Sequence, residues 1–131
     1  MPNLYVDSSA LVKLVVVESE SEALQRWSIT NREYLVSSDL ARAELMRTVR
    51  RRAPDMAVRA RDLLESIWLL EITTRMYEQA GLLDPVSLRT LDALHLACAL
   101  SLGDELDGIV TYEDRLSAAA GSMGIRTVAP A

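Results

Sequence analysis

The sequence predicts an α/β fold in which a mostly parallel central sheet of four to five short strands is flanked by helices. Short apolar runs that favour β-structure alternate with helical patterns, so a helical crossover separates the strands. The 131 residues are 50% hydrophobic and 25% charged, which is typical of a compact protein with one core. We therefore expect residues 1–131 to form a single domain.

In the first half of the chain, each expected strand is an apolar run and each expected helix follows polar residues. Ser8 or Ser9 is expected to cap the first helix, because a short polar side chain can accept a hydrogen bond from a free amide of the first turn. A Ser-Ser-Asp cluster precedes the third helix in the same way. The predicted elements are a strand at 3–7, a helix from Ala10, a helix at 18–29, a strand at 34–37 and a helix at 39–52.

In the second half, proline and glycine mark the boundaries between elements. Pro54 is expected to start a helix, the Asp84-Pro85 pair to interrupt the chain, and Gly103 to end the most apolar helix. The predicted elements are a helix from Pro54, a strand at 67–72, helices at 73–82 and about 88–102, a strand at 108–111, a helix at 112–120 and a strand at 124–128.

The charge and cysteine content narrow the possible functions. The chain has 14 Lys and Arg against 19 Asp and Glu, a net charge of −5, which excludes a globally basic nucleic-acid-binding surface. Cys98 is the only cysteine, and the N-terminus lacks the pattern of a secretory signal, so we expect a cytoplasmic protein. No apolar run is long enough for a membrane span, so no membrane partner is expected.

Acidic residues follow three of the predicted strands. Asp7 follows the first strand, Asp39 the second, and Glu113 with Asp114 the strand at 108–111. In parallel sheets of this kind, ligands bind at the carboxyl ends of the strands. The pattern therefore predicts a carboxylate site at one edge of the sheet, although Asp7 could equally be an N-cap.

Asp92 is the most unusual acid of the chain. Its helix is apolar on nearly every side, and its neighbours one turn away are Leu88 and Leu96. Burying an ionised carboxylate without compensation costs several kcal/mol, so the residue is expected to be protonated, paired or bound to a metal ion. Arg89, three residues earlier, is the structural alternative to a metal.

Glu44 and His95 carry weaker signals. Glu44 lies at the border of the buried face of the third helix, where a surface position and a helical ion pair with Arg47 are the ordinary expectation. His95 lies one turn after Asp92 and could bind metal or move protons, but a lone histidine in an apolar helix is more often a hydrogen-bonded core residue.

Four segments together resemble the PIN-domain ribonucleases, and more narrowly the VapC-type toxins of bacterial toxin-antitoxin pairs. They are Leu-Tyr-Val-Asp-Ser-Ser-Ala at 4–10, Glu44, Leu-Asp-Ala-Leu-His-Leu-Ala at 91–97, and Val-Thr-Tyr-Glu-Asp-Arg-Leu at 110–116. Their order and the length of the chain match as well. The resemblance spans essentially the whole sequence and implies a single PIN domain with a PIN-like three-layer fold.

The resemblance implies a Mg²⁺- or Mn²⁺-dependent endoribonuclease that hydrolyses RNA phosphodiester bonds. Its acids would be Asp7, Glu44, Asp92 and an acid near Thr111. An all-oxygen site without a Cys/His cluster also suits hard cations. Glu113 stands where the family usually has aspartate and Asp114 follows it, so both are candidate metal ligands. If Thr111 caps the last helix, Asp114 falls at the third helical position and has a structural explanation.

The partners are expected from charge and from the resemblance. An arginine-rich region around Pro54 could contact RNA phosphates, with Arg47, Arg50 and Arg51 as the chosen candidates, although such a run is often a solvated helix face. The resemblance to VapC-type toxins implies a cognate VapB-type antitoxin and a homodimer.

Other classes of protein fit less well. A phosphoacceptor receiver domain needs a lysine after a late strand, and the only lysine is Lys13 in the first helix. A haloacid-dehalogenase-like phosphatase needs Asp-x-Asp, whereas the chain reads Asp7-Ser-Ser. The remaining alternative is a non-catalytic PIN-like binding module whose acidic pocket holds a structural ion or a partner's arginine.

Overall fold

The computed structural model describes residues 2–131, and they contain a five-stranded sheet in the order β3-β2-β1-β4-β5. All four pairs of neighbouring strands are parallel. This confirms the predicted mostly parallel sheet of four to five short strands. The strands are β1 (Asn3–Val6), β2 (Leu35–Ser38), β3 (Trp68–Leu70), β4 (Leu106–Val110) and β5 (Thr127–Val128).

Helices connect the strands and cover both faces of the sheet. They are α1 (Ser8–Lys13), α2 (Ser21–Asn31), α3 (Leu40–Arg52), α4 (Ala57–Ser66), α5 (Thr74–Ala80), α6 (Thr90–Leu100) and α7 (Asp114–Ser122). Short 3₁₀ turns precede β2, α4 and β4. Within residues 2–131, no helix has both the length and the apolar character needed to cross a membrane.

The side chains of β1 alternate between two cores, as the two-residue period of a strand requires. Leu4 and Val6 pack with the buried face of helices α1 to α4, including Leu45. Tyr5 points to the other face and packs with Leu96 of α6. The central strand is therefore covered on both faces. The acidic residue that follows it, Asp7, lies at its carboxyl end.

Two predicted helix starts are wrong. Asp7, rather than Ser8 or Ser9, is the N-cap of α1, because its carboxylate accepts a hydrogen bond from the amide of Ala10. Helix α7 begins at Asp114 and not at residue 112. The hydroxyl of Thr111 donates to Asp7, and its oxygen accepts from the amide of Glu113, which lies before the helix, so both bonds are made outside the first turn of α7.

Other boundaries differ by a few residues. Helix α2 begins three residues later than predicted, β3 is only the middle of the expected strand, and β5 is the last part of its predicted run. Propensity alone did not set these ends, since a strand is defined by pairing with its neighbour. The backbone of β3, for example, pairs with β2 only from Trp68 to Leu70.

Candidate active site

The carboxyl ends of β1, β2 and β4 meet at one edge of the sheet, as predicted. The amide of Asp7 donates to the carbonyl of Val110 at 3.1 Å, so Asp7 extends the pairing of β1 with β4. Asp39, after β2, instead forms an ion pair with Arg42 at 2.8 Å. Asp7 and the segment after β4 are therefore close neighbours, whereas the carboxylate of Asp39 is occupied elsewhere.

Asp7 is almost completely buried, with 2% of its surface exposed. Its Oδ2 accepts a hydrogen bond from the Thr111 hydroxyl at 2.6 Å. Its Oδ1 accepts from the Ser9 hydroxyl at 2.7 Å and from the amide of Ala10 at 3.1 Å. Burial raises the pKa of Asp7 above its ordinary value, and the hydrogen bonds from Thr111 and Ser9 oppose that shift. Asp7 is thus both a helix cap and a pinned carboxylate of the site.

Glu44 lies on α3 and points towards α1 and α6 rather than into solvent. Its Oε1 is 2.6 Å from the Ser8 hydroxyl and 2.7 Å from Nε2 of His95. Burial on its own raises the pKa of Glu44, but the hydrogen bond and charge of His95 and the bond from Ser8 outweigh it, so the pKa lies below its ordinary value. The alternative of a surface residue paired with Arg47 is wrong.

His95 is buried in α6 and bonded through both ring nitrogens. Its Nε2 faces Glu44, and its Nδ1 is 2.7 Å from the hydroxyl of Tyr5 on β1. The Tyr5 hydroxyl is also 2.9 Å from the hydroxyl of Ser38 on β2. His95 is therefore neither a free metal ligand nor bonded to backbone, but part of a side-chain network.

Asp92 stands one turn before His95, near the start of α6, and is half-buried. Within residues 2–131 it has no hydrogen-bond donor and no ion-pair partner, and Arg89 does not pair with it. Burial raises the pKa of Asp92, and the negative charges of Glu113 and Asp7 raise it further. The carboxylates of Asp7 and Glu113 thus repel that of Asp92.

Glu113 and Asp114 take different places at the start of α7. Glu113 is the N-cap residue, and its amide donates to the hydroxyl of Thr111 at 3.0 Å. Asp114 is the first helical residue and is exposed. The structural explanation of Asp114 as the third residue of a capping box at Thr111 is therefore wrong. Of these two acids, Glu113 is the one whose negative charge raises the pKa of Asp92.

The arginine candidates lie on the exposed face of α3. Arg47, Arg50 and Arg51 are exposed, and within residues 2–131 none of them has an ion-pair partner. Arg52 differs because it pairs with Glu18 at 2.9 Å.

The donor chemistry at this edge fits a hard divalent cation. Asp7, Glu44, Asp92 and Glu113 offer only oxygen atoms, and the mutual repulsion at Asp92 is the kind that a bound cation relieves. His95 uses both ring nitrogens within the protein, which disfavours a zinc-type site. No three Asp, Glu, His or Cys side chains of residues 2–131 are grouped closely enough to hold a metal ion as they stand. The site therefore suits a divalent cation by its oxygen donors and its negative charge.

Sequence reasoning missed the neutral residues that hold these acids. Tyr5, Ser8, Ser9, Ser38 and Thr111 all donate or accept hydrogen bonds at the site. The sequence did contain one indication of these residues, because polar side chains at the ends of buried strands need hydrogen-bond partners. The partner of each could not be inferred from spacing along the chain.

Fold and site define an α/β protein with a carboxylate-rich site at the carboxyl edge of a parallel sheet. The sequence matches the family model described as PIN domain over residues 4–122. It is 45% identical over 130 residues to Ribonuclease VapC46 of Mycobacterium tuberculosis (strain ATCC 25618 / H37Rv), covering 99% of each chain. It is 38% identical over 131 residues to Ribonuclease VapC47 of Mycobacterium tuberculosis (strain CDC 1551 / Oshkosh), covering 97% of this chain and 96% of the relative.

Solved structures share the fold at lower identity. Mycobacterium tuberculosis VapC20, a Sarcin-Ricin loop cleaving toxin, has a TM-score of 0.81 at 20% identity and covers 98% of this chain and 100% of its own. The DNA-bound VapBC of Salmonella typhimurium has a TM-score of 0.72 at 16% identity, with 98% of each chain covered. The chain belongs to the PIN domain family and, within it, to the VapC ribonucleases. The resemblance seen in the sequence is thereby confirmed.

Proposed function

We propose that this protein is a Mg²⁺- or Mn²⁺-dependent endoribonuclease that acts as the toxin of a toxin-antitoxin pair. The observation that carries the proposal is Asp92, a half-buried carboxylate that has no hydrogen-bond or ion-pair partner among residues 2–131 and faces the charges of Glu113 and Asp7. In a member of the VapC ribonucleases, such a site has an evident use, which is to bind the cation that hydrolysis of a phosphodiester requires.

Four acids are assigned to the reaction: Asp7, Glu44, Asp92 and Glu113. Asp7 and Glu44 are held by hydroxyl and ring N–H donors, so they offer oxygen atoms at fixed positions. Asp92 and Glu113 supply negative charge that the protein leaves uncompensated. Asp114 is the alternative fourth acid, but its exposure and its place within α7 favour Glu113.

When bound, a divalent cation polarises the scissile phosphate and lowers the pKa of the attacking water. The chain's own contribution is to hold the acids and to keep Asp92 and Glu113 free of competing cations. Arg47, Arg50 and Arg51 would contact the phosphates of the RNA, because their guanidinium groups are exposed and unpaired within the described residues. Such contacts position the substrate without reading its bases.

The partners follow from the family. The VapBC structure of Salmonella typhimurium supports a cognate VapB-type antitoxin for this chain. We also assign it a homodimeric state, a cytoplasmic location and a single PIN domain over residues 1–131.

Cleavage of a labelled RNA by purified protein tests this function. We expect internal cleavage in Mg²⁺ or Mn²⁺, and none when the metal is removed by EDTA. A preparation of Asp92→Asn, purified identically, controls for a contaminating ribonuclease. Undiminished cleavage in EDTA would refute the metal dependence, and no cleavage under any condition would favour the non-catalytic binding module.

A further inference from the structure

We propose that His95, oriented by Tyr5, is a positioning residue that holds Glu44 with one carboxylate oxygen left free for the site. The proposal deepens the proposed function and rests on it, since Glu44 is there a cation-binding acid. It concerns three buried or half-buried side chains on three different elements: Tyr5 on β1, Glu44 on α3 and His95 on α6.

The two bonds to Glu44 converge on the same oxygen. The Ser8 hydroxyl lies 2.6 Å and the His95 Nε2 2.7 Å from Oε1, while within residues 2–131 no hydrogen bond reaches Oε2. An ionised carboxylate only accepts hydrogen bonds, so Nε2 of His95 carries a proton and donates it. Two donors on one oxygen fix the plane of the carboxylate and leave Oε2 for a further partner.

The ring of His95 is itself held from its other side. Nδ1 lies 2.7 Å from the hydroxyl of Tyr5, and the two rings meet edge to face with centroids 5.7 Å apart. Tyr5 is completely buried in the central strand, and its hydroxyl is also bonded to Ser38 of β2. The imidazole is thus anchored, through Tyr5, to the neighbouring strands β1 and β2.

The bridge matters because it joins two elements that carry different acids. Asp92 lies three residues before His95 on α6, and Glu44 lies on α3. A buried histidine needed only for packing would be satisfied by any acceptor, but this one places its Nε2 proton on a carboxylate of the site. Partners of this kind, which orient a metal ligand, typically change metal affinity about 10- to 100-fold when they are removed.

Three substitutions test whether His95 positions Glu44 or only fills space in the core. In His95→Gln, the side-chain NH₂ can reach the place of Nε2 and still donate to Glu44. In His95→Asn, the shorter amide reaches only the place of Nδ1, so the bond to Glu44 is lost. Tyr5→Phe keeps the ring of Tyr5 but removes the hydroxyl that orients His95. Leu94→Ala is the control for lost stability, because Leu94 is buried next to His95 in a cluster that includes neither Tyr5 nor Glu44.

The measurement is the affinity for Mn²⁺ alone, by electron paramagnetic resonance on purified, folded protein. We expect His95→Asn to weaken binding about 10-fold or more, Tyr5→Phe to weaken it by a smaller factor, and His95→Gln to stay within about threefold of wild type. Leu94→Ala is expected to lower the melting temperature without changing the Mn²⁺ affinity. Wild-type affinity in both His95→Asn and Tyr5→Phe, or equal losses in His95→Gln and His95→Asn, would overturn the proposal.

A second arm separates this proposal from the proposed function. If Glu44→Gln binds Mn²⁺ as well as wild type does, Glu44 is not a cation ligand, and that part of the proposed function fails. Crystal structures without metal then decide the positioning role. A Glu44 that keeps its place in wild type and turns away in His95→Asn supports it, and an unmoved Glu44 in His95→Asn overturns it.

Discussion

Two pairs of acids meet at the same edge of the sheet, but the protein treats them differently. Asp7 and Glu44 accept hydrogen bonds from Thr111, Ser8 and other donors. Within residues 2–131, no side-chain donor bonds to Asp92, and the carboxylate of Glu113 stands close enough to raise its pKa. The first pair is held by hydrogen bonds from the chain, whereas Asp92 is held by none within the described residues and faces the like charge of Glu113.

The pKa shifts of Glu44 and Asp92 express this contrast, although burial raises the pKa of Asp7 despite its hydrogen bonds. Hydrogen bonding by His95 and Ser8 overcomes the effect of burial at Glu44 and lowers its pKa, while burial and the neighbouring carboxylates raise the pKa of Asp92. We propose a division of labour at one site, in which the hydrogen-bonded acids set position and the acids without such bonds attract a cation. A site in which all acids were compensated would have little reason to bind one.

The largest effect is expected from removing the charge at Asp92. Asp92→Asn should lower metal-dependent RNA cleavage at least about 100-fold, because it removes a group that stabilises the bound cation. The fold should remain, since within the described part of the chain the carboxylate makes no hydrogen bond or ion pair that would be lost. Single-turnover cleavage and circular dichroism measure the two parts. Cleavage within a fewfold of wild type would remove Asp92 from the site.

The next effect distinguishes the two acids at the start of α7. Glu113→Gln should lower kcat roughly 10- to 100-fold, and Glu113→Asp should stay active because it keeps the charge. Asp114→Asn should mainly cost stability, by less than about 1 kcal/mol, because an exposed acid in the first turn interacts only with the helix dipole. Glu65→Gln, on the exposed side of α4, is the matched control. An inactive Asp114→Asn of normal stability beside an active Glu113→Gln would reverse the assignment.

A smaller effect is expected on substrate affinity. Replacing Arg47, Arg50 and Arg51 together by Gln should weaken RNA binding and lower the dependence of affinity on salt, by about 0.7 in logarithmic slope per lost phosphate contact. Mn²⁺ affinity should not change, because these side chains lie outside the carboxylate site. Arg75→Gln on α5 serves as the control. An unchanged salt slope would identify the three arginines as an ordinary solvated face.

The smallest effect concerns stability and its dependence on pH, and it has opposite signs for Glu44 and Asp92. A carboxyl group with a lowered pKa contributes stability above its ordinary pKa and loses it as the pH falls through the folded-state value. A carboxyl group with a raised pKa contributes stability only at low pH, where it is protonated, and that contribution is lost as the pH rises. Without metal, Glu44→Gln should therefore lower the melting temperature at neutral pH, and Asp92→Asn should raise it slightly.

As the pH falls, the difference at Asp92 should shrink first, because its pKa is raised, and the difference at Glu44 should shrink only below the ordinary glutamate pKa of about 4.3. Thermal melts of the two variants over this range in EDTA measure the effect. Shifts of the same sign for Glu44→Gln and Asp92→Asn at neutral pH would contradict the contrast between the pairs.

The fold and the positions of the acids could be predicted because they depend on local pattern. Apolar runs identify β1 and β4, and the carboxyl ends of parallel strands necessarily share an edge, which places Asp7 near the segment after Val110. Asp92 stands out because a carboxylate in an apolar helix violates the pattern around it. These inferences need no knowledge of contacts between distant residues.

The hydrogen-bond network could not be predicted because it is built from distant contacts. The bond between Thr111 and Asp7 joins residues 104 positions apart, and the bond between Tyr5 and His95 joins residues 90 positions apart. Periodicity says that such side chains are buried, but not which of them meet. The start of α7 was misplaced for the same reason, since the Thr111 hydroxyl expected to cap it is bonded to the distant Asp7 and to the amide of Glu113, which lies before the helix.

The central claim, that the uncompensated acids attract a divalent cation, is tested most directly by the melting temperature with and without Mg²⁺ or Mn²⁺. At a hundredfold excess over Kd, binding to the native state alone adds about 2.7 kcal/mol, which for a protein of this size raises Tm by on the order of 10 °C. We predict this rise for wild type and for the control Asp62→Asn, and a much smaller one for Asp7→Asn and Asp92→Asn. Equal rises in all four proteins would mean that the cation binds elsewhere and would contradict the account.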